Sequence, residues 1–290
     1  MKLAPGELKS MQQKAKQLFV GKLVIYTLGM LIPVVCATVY GYQWWIPVLM
    51  GVMLSHGTQL MHQLTHGVYS QKVDRAIGGA LGFMLFENFS EYRVSHLHHH
   101  RHIGTEQYHC HPSRQPQVKG WLKPGYVIAH LFKLVFYFKT LKRIASALNG
   151  QSDIADNDRQ RRLICADYRW MLLGYVIVLA TVSILDAWFI LIDYWFIPLI
   201  IASILHTLIE VTSHVGCQMD NTNPEFNARS IETNILMRWY SNSGCYHAEH
   251  HKYMGIPVDA LKGLKDRMQL QHHYHNNGYI DLCATLLKLK

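Results

Sequence analysis

The chain has 290 residues, half of them aliphatic, aromatic or cysteine, and a formal net charge of +9. That composition suits either a large soluble core or a membrane protein, and the charge accompanies no recognised nucleic-acid-binding motif, so no nucleic-acid partner is expected. Cys36, Cys110, Cys165, Cys217, Cys245 and Cys283 are scattered, which predicts reduced thiols and no disulfide framework.

Lys2, Lys9, Lys14 and Lys16 precede Leu23 to Tyr40, an 18-residue run without a charge. The run is too long for a signal peptide and no small-residue cleavage site closes it, so it reads as a signal anchor. A second run begins near Tyr42, passes Trp44, Trp45 and Leu60, and reaches His62-Gln63-Leu64-Thr65-His66. Ala76 to Phe86 is an apolar stretch of 11 residues with three glycines, too short to cross a bilayer and read as an interfacial or re-entrant helix. It leads into His96-Leu97-His98-His99-His100.

Tyr126 to Ile144 is apolar, with Lys133, Lys139, Lys142 and Arg143 gathered on no single face; it reads as an interfacial helix. Gln151 to Arg162 has no apolar period and is expected to be an exposed, mobile loop. Trp170 to Leu185 and then Ala187 to Ile209, the latter interrupted by Asp193 and His206, are apolar again. Beyond Val215 a polar tail carries His247-Ala248-Glu249-His250-His251.

Roughly 20 apolar residues span a bilayer. The expected fold class is therefore an all-α integral membrane protein with four transmembrane helices in two hairpins, at 20–40, 43–66, 168–186 and 190–214. A histidine-rich cap formed by 67–167 and 215–290, with its interfacial helices, completes a single domain over 1–290. The connections around Gly41 to Gln43 and Asp186 to Asp193 contain no Lys or Arg, which leaves all 28 basic residues at the ends or on the opposite side. By the positive-inside rule both termini and the cap are cytoplasmic, and a bacterial inner membrane is the expected location. A positive face attracts anionic headgroups, and it also suits an acidic electron donor or acyl carrier.

The chain contains 19 histidines, and their spacing carries more than their number. On a helix, positions i and i+4 lie about 40° apart and positions i and i+3 about 60° apart, so HxxxH offers two imidazoles on one face and each HxxHH offers three. Eight converging imidazoles exceed one ordinary zinc site, and two metal ions are the natural count. His62, His66, His96, His99, His100, His247, His250 and His251 are the candidate ligands. His214 joins them because it falls at the cytoplasmic end of the fourth crossing. Glu210 stands one turn before it, where a carboxylate opposes the helix dipole and calls for a cationic or metal partner; it is a candidate ligand or water-mediated neighbour. His206 lies deeper. With His56, His98, His102, His109, His111, His130, His272, His273 and His275 it is expected to stay outside the metal site, the last three exposed.

These residues resemble the membrane-bound fatty acid desaturase family, the integral-membrane di-iron desaturases and hydroxylases. Tyr92-Arg93-Val94-Ser95 followed by His96 to His100 and Gly104-Thr105 is similar to that family's second box. Ala228-Arg229-Ser230 and Tyr246 to His251 are similar to the approach to the third. The resemblance, which runs from about residue 20 to 265, implies two iron ions on the nine histidines, His214 matching an extra histidine after the fourth crossing. Some relatives carry asparagine where this chain has Glu210. Gly244 and Cys245 stand in place of an expected asparagine region, and Met254 in place of a usual proline.

The resemblance further implies dioxygen as co-substrate and desaturation of a fatty acyl chain linked to lipid, coenzyme A or a carrier protein. An unactivated methylene offers ordinary side chains no acidic proton and no leaving group, so a metal cofactor must supply the oxidising power. The chain would lie in an apolar tunnel at the membrane lipid, and a ferredoxin, rubredoxin or cytochrome would deliver electrons. Hydroxylation of a lipid or hydrocarbon at the same site is the nearest alternative. A metal transporter is the distant one, since its ligands belong near the bilayer midplane.

Overall fold

The structure, a computed structural model, describes residues 1, 3–110, 128, 129 and 131–288. His111 and His130 lie outside the described residues, as does the start of the expected interfacial helix at Tyr126.

Helix α1 (Glu7–Tyr40) starts well before its apolar run. The Glu7 carboxylate accepts from the Ala4 amide at 2.8 Å, closing the first turn. Ala15, Phe19, Lys22 and Tyr26 then form a buried stripe at helical spacing, which explains why the basic leader continues the helix instead of fraying. Gly41, at φ 78°, ends it. Helix α2 (Trp45–Thr65) returns against α1. A Cβ at Gly57 would stand 2.7 Å from the Tyr26 ring, and one at Gly29 would stand 2.5 Å from Met53, so the two helices run antiparallel at close approach.

Ser70 caps α3 (Gln71–Leu85), and Phe86 stops it in the left-handed region at φ 56°. Asn88 caps α4 (Phe89–His102) by accepting from the Glu91 amide at 3.0 Å. The short α5 (Glu106–Cys110) follows. Helix α6 (Leu134–Leu148) exposes Leu134, Phe138, Leu141 and Leu148, one apolar stripe that fits an interfacial position.

The loop expected over Gln151 to Arg162 is shorter than that. It ends at Asn157, which accepts from the Gln160 amide at 3.0 Å and caps α7 (Asp158–Ile184). Ile154 is buried within it, and Arg143 bonds Asp153. A charged first turn hid the start of α7. Helix α8 (Trp188–Leu191), a π-helical turn at Ile192–Phe196 and α9 (Ile197–Thr212) form the last apolar rod. The remaining cap holds α10 (Pro224–Asn227), α11 (Ile235–Tyr240), α12 (His247–Lys252), α13 (Leu261–Met268) and α14 (Tyr279–Lys288). Strand β1 (Ser230–Ile231) pairs in parallel with β2 (His275–Asn276).

Among the described residues, three stretches are long and apolar enough to cross a membrane: Glu7–Tyr40, Asp158–Ile184 and Trp188–Glu210. Most of their residues are not buried by protein; Val24, Leu31, Val35, Val176, Ile177 and Ile200 all face outward, an apolar surface that a bilayer would cover. The second expected crossing, α2, differs in kind. Ser55, His56, Thr58, Gln59, His62, Gln63 and Thr65 crowd its second half, and all are buried. It is an inner helix, packed between α1 and α9, and this polar burial rather than apolar length defines it.

Candidate metal centre

The ends of α2 and α9 and the starts of α1 and α7 meet the cap. Tyr69 donates to the Lys16 carbonyl at 3.1 Å, and Asn88 donates to the Ile164 carbonyl at 3.0 Å. At this junction the nine candidate histidines converge as two groups, one of His62, His66, His96, His100 and His250 and one of His99, His214, His247 and His251. Within each group the candidate ligand atoms lie within 4.8 Å of one another.

Each HxxHH triplet is divided. The i, i+4 pairs His96/His100 and His247/His251 stay together, while His99 and His250 cross to the other group. Helices α4 and α12 therefore each serve both groups, and the groups touch: the His100 and His251 rings are 4.2 Å apart.

The nitrogen geometry tests whether this donor set fits metal. Two nitrogens about 2.0–2.1 Å from one ion, at octahedral or tetrahedral angles, stand about 2.9–3.3 Å apart. Nε2 to Nε2 separations are 2.9 Å for His100–His96 and for His247–His214, 3.0 Å for His251–His247 and 3.2 Å for His99–His214. His62 Nε2 and both ring nitrogens of His250 are buried with no hydrogen-bond partner among the described residues. A buried ring nitrogen left so costs about 1–3 kcal/mol unless something binds it, and a cation would take the lone pair of one nitrogen from each ring. The residues fit two metal ions.

Outer partners fix the rings. His214 Nδ1 donates to the Asn227 carbonyl at 2.7 Å, which turns Nε2 and its lone pair inward. Tyr108 lies 3.3 Å from His99 Nδ1. Burial holds His96, His99, His100, His247, His250 and His251 well below the ordinary imidazole range, and neighbouring imidazoles push the same way. The rings are neutral, the form that binds metal.

Two buried carboxylates position the boxes. Glu91, in the first turn of α4, receives the Tyr168 hydroxyl at 2.7 Å and is paired with Arg143. Glu249, inside the third box, is fully buried, accepts from Ser230 and has its other oxygen 3.2 Å from His272 Nε2. Burial works against its charge, but these contacts win and hold its pKa below the usual carboxylate value. His272 is thus tied to the third box and not exposed, whereas His273 and His275 are exposed. Glu249 sits between ligands in the sequence, and that placement was the available signal for its role. Nothing local marks Arg143 or Tyr168.

Glu210 joins neither histidine group. It accepts from His206 Nε2 at 2.7 Å, and Gln59 donates to His206 Nδ1 at 3.3 Å. His56 stacks on Trp239 with ring centres 4.4 Å apart and bonds the Tyr240 carbonyl; His98 faces His102. The side chains of His109 and Cys110 are outside the description. A narrow cleft lined by Gln12, Gln63, Val68 and Met254 among others reaches His66 and His250.

The family model for fatty acid desaturase matches residues 13–282. The chain belongs to the fatty acid desaturase family. No curated protein matches it closely enough to stand as a relative. Membership makes this desaturase-family chain an oxidoreductase-type enzyme of fatty acid modification, and its histidine groups are the places where metal ions can be held.

Proposed function

We propose that the chain is a membrane-embedded di-iron enzyme that desaturates a fatty acyl chain with dioxygen. The observation that carries this reading is the pair of adjacent histidine groups with metal-like nitrogen spacing. His62, His66, His96, His100 and His250 would hold one iron, and His99, His214, His247 and His251 the other. Iron bound there supplies the oxidising power that an unactivated C–H bond demands.

The chain's own groups bind, orient and shield. Glu91 and Glu249 fix α4 and α12 so that the rings need no rearrangement when substrate arrives. Four crossings in two hairpins, with both termini and the centre on the cytoplasmic side, would place the site at the lipid face. The lysine-free connections and the outward apolar surface of three helices support that topology. The amphipathic α6 would lie at the interface.

The cleft over His66 and His250 is the approach assigned to an acidic electron donor of the ferredoxin, rubredoxin or cytochrome type. Lys9 and Lys16 flank Gln12 at helical spacing on α1, and Lys252 follows the third box; Lys9 and Lys252 are exposed. Glu7 is paired with Arg267 and Asp259 with Lys22, and these lysines would favour an acidic partner.

Expression in a lipid-producing host with a compatible donor, followed by mass spectrometry of acyl products beside a His250→Ala control, tests the reading. A new alkene in the wild-type culture alone is expected. Hydroxylated lipid without alkene would reassign the outcome to hydroxylation, and the same product in both cultures would overturn the site.

A further inference from the structure

Residues 232–244 leave the cap and return to it. Their flanks are tied together there, the Ile231 amide donating to the Cys245 carbonyl at 2.8 Å and Glu232 pairing with Lys265. Between these flanks the returning strand runs along α2. Asn242 donates to the Gln63 side chain at 2.9 Å and to the Gln59 carbonyl at 3.0 Å; the Tyr240 carbonyl bonds His56 Nδ1 at 2.8 Å, and the Trp239 ring stacks on His56. Each contact falls farther from His66, so the end of α11 stands about 15 Å from it along α2.

Helix α1 gives the depth of that point. Gly57, next to His56, packs on Tyr26. From Leu18 to Tyr40 the exposed residues of α1 carry no charge, and Tyr26 lies about 12 Å below Leu18 along that apolar surface. At this level Ile235 and Leu236, side by side on α11, are 69% and 74% exposed.

We propose that α11 dips into the bilayer and that acyl chains of the leaflet nearest the cap cover Ile235 and Leu236. This rests on the reading that α1 crosses a membrane. Backbone at such depth has no water to bond, and the turn meets that demand from within. Asn234 Oδ1 accepts from the Met237 amide at 2.9 Å, and the Arg238, Ser241 and Ser243 amides donate to the Asn234, Met237 and Arg238 carbonyls. Among acyl chains the two aliphatic side chains extend the outward surface of α1, whereas in water they would form an apolar patch on a polar cap. Arg238, the one charged side chain of α11, is half-buried, and its stem can lead the charge toward the interface. Because Asn242 is anchored on Gln59 and Gln63, the dipping segment is fixed to the first histidine box.

Photo-crosslinking of the purified full chain in phosphatidylcholine nanodiscs tests the depth. p-Benzoylphenylalanine, which captures C–H bonds, is substituted for Leu236. The same substitution at Val24 of α1 is the reference on the apolar surface, and at the exposed Lys252 the reference in the cap. Intact-mass spectrometry should find a lipid adduct at position 236 in a yield similar to that at 24, and none at 252. Ile235 takes the probe should the Leu236 variant not fold. Adduct at 24 without adduct at 235 or 236, or equal adduct at 252, would overturn the proposal alone. A cross-linked dimer from 235 or 236 would overturn it in favour of a second copy of the chain. No adduct at any position, 24 included, would overturn it together with the membrane reading.

Discussion

His66 Nε2 stands 2.8 Å from His96 Nε2, across 30 residues of chain. Two neutral imidazoles brought nitrogen to nitrogen have room for one proton or one shared ion, and His100 Nε2 is 2.9 Å from the same His96 nitrogen. Chelation should therefore lower the unfolding temperature of the purified protein, and added metal should restore it. The metal-free form should also be acid-sensitive. Its buried imidazoles titrate below their unfolded value of about 6.5, so the unfolded chain takes up protons first as pH falls. Stability present above about pH 6.5 is lost below it. Thermal unfolding of stripped protein between pH 8 and pH 5 checks this, and a flat profile would speak against neutral buried rings.

Glu249 holds the third box to Ser230 and His272. Glu249→Ala leaves those two groups without their buried acceptor and should cost about 1–3 kcal/mol. Because α12 supplies both histidine groups, metal retained after desalting should fall at both. Full metal content with unchanged unfolding temperature would remove Glu249 from the supporting frame.

Arg143 neutralises Glu91 at the start of α4. Removing one partner of a buried pair is costly, and Arg143→Met should destabilise the chain by about 3 kcal/mol even though Tyr168 still donates to Glu91. The double change Arg143→Met with Glu91→Gln should recover part of that loss. Denaturant unfolding of wild type and the two variants measures it; no recovery in the double variant would mean that Arg143 acts through Asp153 instead.

Glu87 gives a pH dependence of opposite sign. Burial pushes its carboxyl up to about 8 from the ordinary value of 4.5. The unfolded chain therefore releases this proton first as pH rises, and the contribution to stability is lost between those values. Glu87→Gln should unfold at a higher temperature than wild type at pH 8, and the gap should close toward pH 5. A gap that widens at low pH would contradict the assignment.

Helical spacing alone places the eight box histidines on shared faces, His214 stood out by its place at the end of an apolar run, and the structure brings all nine together; the long apolar stretches were legible from hydropathy. The start of α7 at Asp158 was not, because its first turns are charged and gain their partners, such as Arg75 on Asp167, from distant α3. The character of α2 was also hidden. Its polar residues look like the end of a membrane helix, but they are buried because α1 and α9 cover them and Asn242 bonds both the Gln59 carbonyl and the Gln63 side chain. Glu210 read as a potential ligand from helix phase. Its neighbour His206 lies on the same phase one turn away and takes the carboxylate first.

Metal content of the purified full chain bears most directly on the central claim that two adjacent histidine groups hold two irons. Wild type should carry about two irons per chain, and His62→Ala and His247→Ala, one from each group, should each retain about one. Wild type holding zinc alone or about one ion of any kind, or both variants keeping the full complement, would contradict the account.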